Sequence, residues 1–154
     1  MSKPLKDLKV ASYYGCYLVR PEEIAFDDAE NPVILDELME VLGATAIDFP
    51  FKVECCGAYQ TVDKPDVVAD RTNQILTSAQ KQGADMVVVS CPLCAFNLDH
   101  RQKETVAKFP EFKSMPVLYF TQLLAIALGC PEESLRFDLH YIDPKPILQE
   151  KGLI

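Results

Sequence analysis

The sequence predicts an α/β fold: an about four-stranded parallel sheet flanked by helices, built from Rossmann-like βαβ units. Three observations predict it. Short β-branched runs alternate with stretches of helical periodicity along the 154 residues, the pattern of strands joined by crossover helices. The run ADMVVVS is apolar without alternation, as in a strand covered on both faces. Proline and glycine punctuate the boundaries, with Pro65 opening one helical stretch and Gly83 closing it.

In chain order, KVASYYG reads as a strand ending in a turn at Gly15. NPVILDELMEVLG reads as a helix, with Asn31 as N-cap, Pro32 in the first turn and Gly43 as the stop. Its apolar face is Ile34, Leu35, Leu38, Val41 and Leu42. TAIDFPF is a short second strand and PDVVADRTNQILTSAQKQG a second helix. After ADMVVVS, a third helix runs through LCAFNLDHRQKETVAKF. MPVLYF is the fourth strand and TQLLAIALG the fourth helix, capped by Thr121. No repeat or low-complexity run interrupts this order, so residues 1–154 are expected to form one domain. Its Pro-containing tail, 136–154, is expected to pack on the rest.

Lys and Arg number 15 against 23 Asp and Glu, a formal net charge of -8. That balance argues against nucleic acid, whose binding rests on basic patches, and against an anionic membrane surface. No segment approaches the roughly 20 apolar residues of a membrane span, so no direct membrane insertion is expected. The opening MSKPLKDLKVASYY lacks the apolar core of an export signal. The expected location is therefore cytoplasmic and reducing, where cysteines serve as metal ligands or redox groups more than as a disulfide framework.

The chain has six cysteines, and five fall just after predicted strands. Cys16 follows the first, Cys55 and Cys56 the second, Cys91 and Cys94 the third. Loops beyond the carboxyl ends of parallel strands are where functional groups gather. Cys55 and Cys56 are consecutive, a poor arrangement for a disulfide between them. They are an accident, halves of separate disulfides, or two sulfurs needed by one ligand. The spacing is Cys16, 38 residues, Cys55-Cys56-Gly57, 33 residues, then Cys91-Pro-Leu-Cys94. A Cys-x-x-Cys unit at a helix start turns two thiolates toward one ion, with the helix N-terminus favouring their charge. A zinc site normally wants four ligands. Five thiols with a direct pair suit a polynuclear centre better, and iron–sulfur clusters are held by such thiolates. Gly57 is expected to relieve crowding beside the pair and free backbone N–H groups to approach the sulfurs.

Together the spaced Cys, the Cys-Cys-Gly and the Cys-x-x-Cys resemble the CCG (cysteine-rich) domain. The segments YYGCYLVRP, FDDAENP, VVSCPLCAFNLDHRQKE, VLYFTQLLAIALG and HYIDPKPILQEKGL resemble the C-terminal CCG domain of the B-type subunits of heterodisulfide reductases, from about Lys9 to Leu153. The resemblance implies a noncubane [4Fe-4S] cluster held by Cys16, Cys55, Cys56, Cys91 and Cys94. It implies reductive cleavage of a disulfide such as CoM-S-S-CoB, one electron per cluster, with a second CCG domain and A-type and C-type subunits as partners. A lone CCG domain is then not expected to be active by itself. Zinc is the alternative occupant of the pocket, and an isolated domain can stand empty. The alternative functions are an electron-transfer subunit of a quinone-linked or 2-hydroxy-acid oxidoreductase, and a zinc-binding interaction module.

Outside the motif, Cys130 is assigned a structural place past an apolar helix, and His100 an exposed helix position with a secondary candidacy as proton donor. His140 is a weaker candidate for the same role. Tyr13 and Tyr14 are expected in the core, with packing over the cluster as the alternative. Arg20 is read either as a surface ion pair or as a contact to an anionic substrate.

Overall fold

All four side chains of Met86–Val89 are buried, and the rest of the molecule is built around that strand. The computed structural model describes residues 2–154. Strands β1 (Lys9–Tyr13), β2 (Thr45–Ala46), β3 (Met86–Val89) and β4 (Val117–Tyr119) form a four-stranded sheet in the order β2-β1-β3-β4. Every pairing is parallel. The connections carry helices α1 (Ile34–Val41), α2 (Pro65–Lys81), α3 (Pro92–His100) and α4 (Gln102–Lys108). Helices α5 (Phe120–Leu128) and α6 (Lys145–Glu150) follow β4.

Side chains alternate across the sheet, so each strand feeds two cores. Val10, Met86, Val88 and Leu118 pack with Met39 of α1, Leu123 and Ile126 of α5, and Leu148 of α6. Ala11, Val87, Val89 and Val117 pack on the other face with Ile75, Leu76 and Ala79 of α2 and Leu98 of α3. Cys56 and Cys94 belong to this second core. Truncating a fully buried leucine such as Leu76 or Leu118 to alanine is expected to cost about 2–5 kcal/mol. Tail residues Phe137, Leu148 and Leu153 are buried in the first core beside Leu5 and Leu8.

Several elements differ from the sequence expectation. The second strand is only Thr45–Ala46. Pro50 has no N–H to give a ladder, and the chain turns, with Lys52 N–H donating to Phe49 O at 3.4 Å and Glu54 N–H to Phe51 O at 3.2 Å. Cys55 and Cys56 therefore sit beyond an irregular turn and not at the strand end. The expected third helix is two, α3 and α4, broken at Arg101. There the Leu98 carbonyl accepts the Gln102 side-chain amide at 2.8 Å, and the same amide donates to Met115 O at 2.7 Å.

Caps also move. Asn31 does not cap α1; its N–H donates to Asp28 Oδ1 at 2.7 Å. Asp27 Oδ2 accepts Val33 N–H at 2.5 Å and Ile34 N–H at 2.7 Å instead. The buried stripe of α1 with its C-cap is Leu35, Met39 and Leu42, while Val41 is 73% exposed and Ile34 lies at the outer flank. Thr121 does not cap α5. Strand β4 runs straight into that helix, and Gln122 Oε1 accepts the Tyr119 N–H at 2.9 Å.

Candidate metal centre

The strand order places β1 and β3 side by side with β2 outside β1. The chain reverses its direction of travel across the sheet at that point, which opens a crevice above the carboxyl ends of β1 and β3. Cys16 comes from the loop after β1, and Cys91 and Cys94 from the loop and first turn after β3. The Cys55-Cys56 turn is brought in by the backbone, because Tyr14 N–H and Gly15 N–H both donate to Lys52 O, at 2.9 and 3.0 Å. Arg71 on α2 completes the tie, with Nε 3.1 Å from Cys55 O and Nη2 2.9 Å from Glu54 Oε2.

The five thiols are brought to this edge, and one contact between them crosses the loops. Cys56 Sγ lies 3.6 Å from Cys94 Sγ. Cys91 acts electrostatically on Cys94, and Cys55 on Cys16. Cys56 and Cys94 are buried, Cys16 and Cys91 half-buried and Cys55 exposed, so the group is closed at its base and open on the Cys55 side. Gly15 lets the first loop pass beneath: its φ is +64°, and a Cβ there would stand 3.1 Å from Cys94 Sγ. Gly57, at φ +80°, donates its N–H to Cys55 Sγ at 3.3 Å. A Cβ on Gly57 would meet nothing closer than 3.5 Å, so its conformation rather than crowding calls for glycine.

The electrostatics separate the central pair. The hydrogen bond from Cys94 lowers Cys56 to about 7, helped by Asn97 and the Ala58 N–H and opposed by burial. Cys94 is pushed up by that same hydrogen bond, by burial and by the charges of Cys56 and Cys91. The shared proton thus rests on Cys94 and the charge on Cys56. Burial, then the Cys55 thiol, raises Cys16. Tyr13 is 1% exposed and donates to Glu54 O, and burial followed by the four thiols Cys94, Cys56, Cys55 and Cys16 pushes its hydroxyl far above the ordinary range. Tyr119 is raised by burial and by Cys91 and Cys94. In the sheet register Tyr13 pairs with Val89 and Val89 with Tyr119, so two protonated phenols flank the thiols.

The all-sulfur donor set fits a soft, polynuclear group. Among the described residues, no three His, Cys, Asp or Glu side chains are gathered as the shell of a single ion. Cys56 and Cys94 are in contact, Cys16, Cys55 and Cys91 stand on the adjoining loops, and N–H donors are aimed at Cys55 and Cys56. Residues 10–99 match the family model described as the cysteine-rich domain, CCG. The chain belongs to the CCG cysteine-rich domain family.

Relatives of this CCG domain are subunits of oxidoreductases. It is 34% identical over 144 residues to the 8-methylmenaquinol:fumarate reductase membrane anchor subunit of Wolinella succinogenes, covering 93% of this chain and 51% of that protein. It is 39% identical over 132 residues to the B-type subunit of the ferredoxin:CoB-CoM heterodisulfide reductase of Methanosarcina mazei, covering 84% and 44%. The B-type subunit of a ferredoxin/F420H2-dependent CoB-CoM heterodisulfide reductase of Methanosarcina acetivorans is 36% identical over 139 residues, covering 88% and 46%. The chain spans about half the length of the curated relatives it matches. Among the described residues, no helix of this CCG domain is long and apolar enough to cross a membrane.

The remaining candidate residues lie around the CCG centre or away from it. Tyr14 turns to α1, where its hydroxyl donates to Asp36 and accepts the Leu35 and Asp36 N–H groups. Cys130 is exposed past α5, with its N–H on Ala125 O at 2.9 Å. His100 stacks on Phe96, with ring centroids 5.0 Å apart, and lies 3.8 Å from Asp99. His140 is paired with Gln122 and lies 3.8 Å from Asp99. Arg20 makes a surface ion pair with Glu30 at 2.7 Å. The residues that sequence reasoning passed over are Asn97, Arg71 and Tyr119. Asn97 carried a signal, since it stands three residues after Cys94 and so shares its helix face; Arg71 and Tyr119 reach the site only through the tertiary fold.

Proposed function

We propose that this chain is one iron–sulfur half of an electron-transfer centre in an oxidoreductase of the heterodisulfide reductase type. Cys16, Cys55, Cys56, Cys91 and Cys94 hold the cluster, a noncubane [4Fe-4S] group, and the acceptor is a disulfide such as CoM-S-S-CoB. The observation that carries the reading is the convergence of five thiols from three loops at one sheet edge, with Cys56 Sγ 3.6 Å from Cys94 Sγ across two of them. When bound, the cluster supplies electrons singly. The chain's own residues ligate it, keep phenol protons on Tyr13 and Tyr119, and leave the Cys55 side open to an acceptor.

A partner domain completes the site in this reading. Tyr17, Tyr59 and Val62, close in sequence to Cys16 and Cys56, are 83%, 91% and 90% exposed. Exposed apolar side chains of this kind suit burial against another polypeptide. The partners are a second CCG domain and the A-type and C-type subunits of a heterodisulfide reductase-like complex. A quinol-linked role is the second reading, favoured by the likeness to the Wolinella succinogenes fumarate reductase protein over 93% of the chain.

Anaerobic reconstitution with iron and sulfide, followed by metal analysis and EPR, tests the assignment. Uptake of a multi-iron cluster that is lost in Cys56→Ser and Cys94→Ser variants supports it. Stoichiometric zinc with no cluster uptake by the wild-type chain would overturn it in favour of an interaction module. Adding CoM-S-S-CoB to the loaded protein is expected to perturb the EPR signal under the first reading; perturbation by a methylated menaquinone alone supports the second.

A further inference from the structure

Asn97 is 1% exposed on α3, and its amide faces the central thiol pair. Its Nδ2 lies 3.2 Å from Cys56 O and 3.6 Å from Cys56 Sγ. Its own carbonyl accepts the hydroxyl of the fully buried Thr72 at 3.1 Å, which fixes the backbone beneath the side chain. Asn97 Oδ1 is buried and has no hydrogen-bond partner. Turning the amide over would set Oδ1 against two acceptors of Cys56, so the observed orientation is the one that makes hydrogen bonds.

A buried amide oxygen left unpaired costs free energy that an apolar side chain of similar size would not incur. Such a group in a folded protein calls for an explanation. The contact on the other side of the same amide offers one. A hydrogen bond to a ligating sulfur stabilises the state with more negative charge on that sulfur, and this is one of the ways a protein sets a cluster's potential. Gly57 gives such a bond to Cys55 from the backbone; Asn97 gives it to Cys56 from a side chain, where one substitution removes it.

We propose that Asn97 is a positioning residue that raises the reduction potential of the cluster by directing its side-chain amide at Cys56. The inference rests on the iron–sulfur reading of the site. It predicts that Asn97 acts on the redox state and retention of the cluster beyond any effect on the stability of the fold.

The test loads wild-type protein, Asn97→Leu and Asn97→Asp anaerobically with iron and sulfide. EPR-monitored redox titration, iron release to a chelator and melting of the metal-free forms are then measured. The midpoint potential is expected to fall from wild type to Asn97→Leu and further in Asn97→Asp, which adds a charge beside the sulfur. Both variants are expected to release iron faster; their metal-free melting temperatures are also expected to fall, since each removes the donor to the buried Cys56 carbonyl, so the midpoint potential is the deciding readout. Should Asn97→Leu not fold, the nearly isosteric Asn97→Asp carries the comparison. Variants that load and titrate at the wild-type potential overturn the proposal, as does a change confined to melting temperature. A wild-type chain that takes up no iron overturns the reading of the site itself, and this inference with it.

Discussion

The carboxylate of Asp99 accepts the backbone N–H of Tyr141 at 2.7 Å, and that of Ile142 at 3.0 Å. Asp99 is 3% exposed and stands on the helix that carries Cys94 and Asn97. One buried side chain thus links the tail to the cysteine helix. Replacing Asp99 with alanine leaves both N–H groups without that acceptor, at a cost of about 1–3 kcal/mol. The expected outcome is a lower melting temperature, with faster proteolytic cleavage within residues 136–154 than in wild type. Unchanged proteolysis of the tail would show that this link does not hold it.

Gly15 answers to two constraints, a φ of +64° and a 3.1 Å approach of any Cβ to Cys94 Sγ. Gly15→Ala incurs the left-handed penalty of about 1–2 kcal/mol and also displaces a thiol. Iron bound per chain after reconstitution is expected to fall well below wild type even where the variant still melts cooperatively. Full loading would separate the conformational requirement from the site.

Cys56 gives the metal-free protein a pH signature. Its thiol sits at about 7 against an ordinary 9.0, so the folded form ionises before the unfolded one. A depressed value stabilises the fold above the ordinary thiol range, and this contribution is lost as pH falls through about 7. Thiolate ultraviolet absorbance of the folded, metal-free chain is expected to rise with a midpoint near 7. Cys56→Ala removes that step, and its persistence would assign it to another cysteine.

Asp27 is the side chain that caps α1. Slight burial works to raise its carboxyl, but the Ile34, Val33 and Asp28 N–H groups outweigh it and hold the value below the ordinary range. The resulting stability is present above the unfolded carboxylate range and lost as pH falls through the lowered value. Asp27→Ala is expected to cost about 1 kcal/mol near neutrality and to flatten the acid side of the stability profile. Chemical denaturation across pH reads both effects; an unchanged midpoint would place the cap elsewhere.

Much of the site was legible because its chemistry is carried by residue type. Cys16, Cys55, Cys56, Cys91 and Cys94 stand out by spacing, and the βαβ pattern brings their loops to one edge. Gly57 was legible in position but not in reason: its positive φ decides, and crowding does not. The break at Arg101 was not legible, because it depends on where the Gln102 amide finds Met115 O, 13 residues away. The caps at Asp27 and Gln122 were missed because each answers to a turn whose geometry no local propensity encodes.

By itself the sequence determined a parallel α/β fold and a set of thiols on three of its loops, since periodicity and residue chemistry are local properties. The tertiary structure decided which thiols touch and which one carries the charge. It also decided which neighbours (Asn97, Arg71, Tyr13 and Tyr119) surround them. Those are outcomes of strand order and of contacts between residues far apart in the chain, where burial and hydrogen bonding act on groups that have no relation until the sheet has formed.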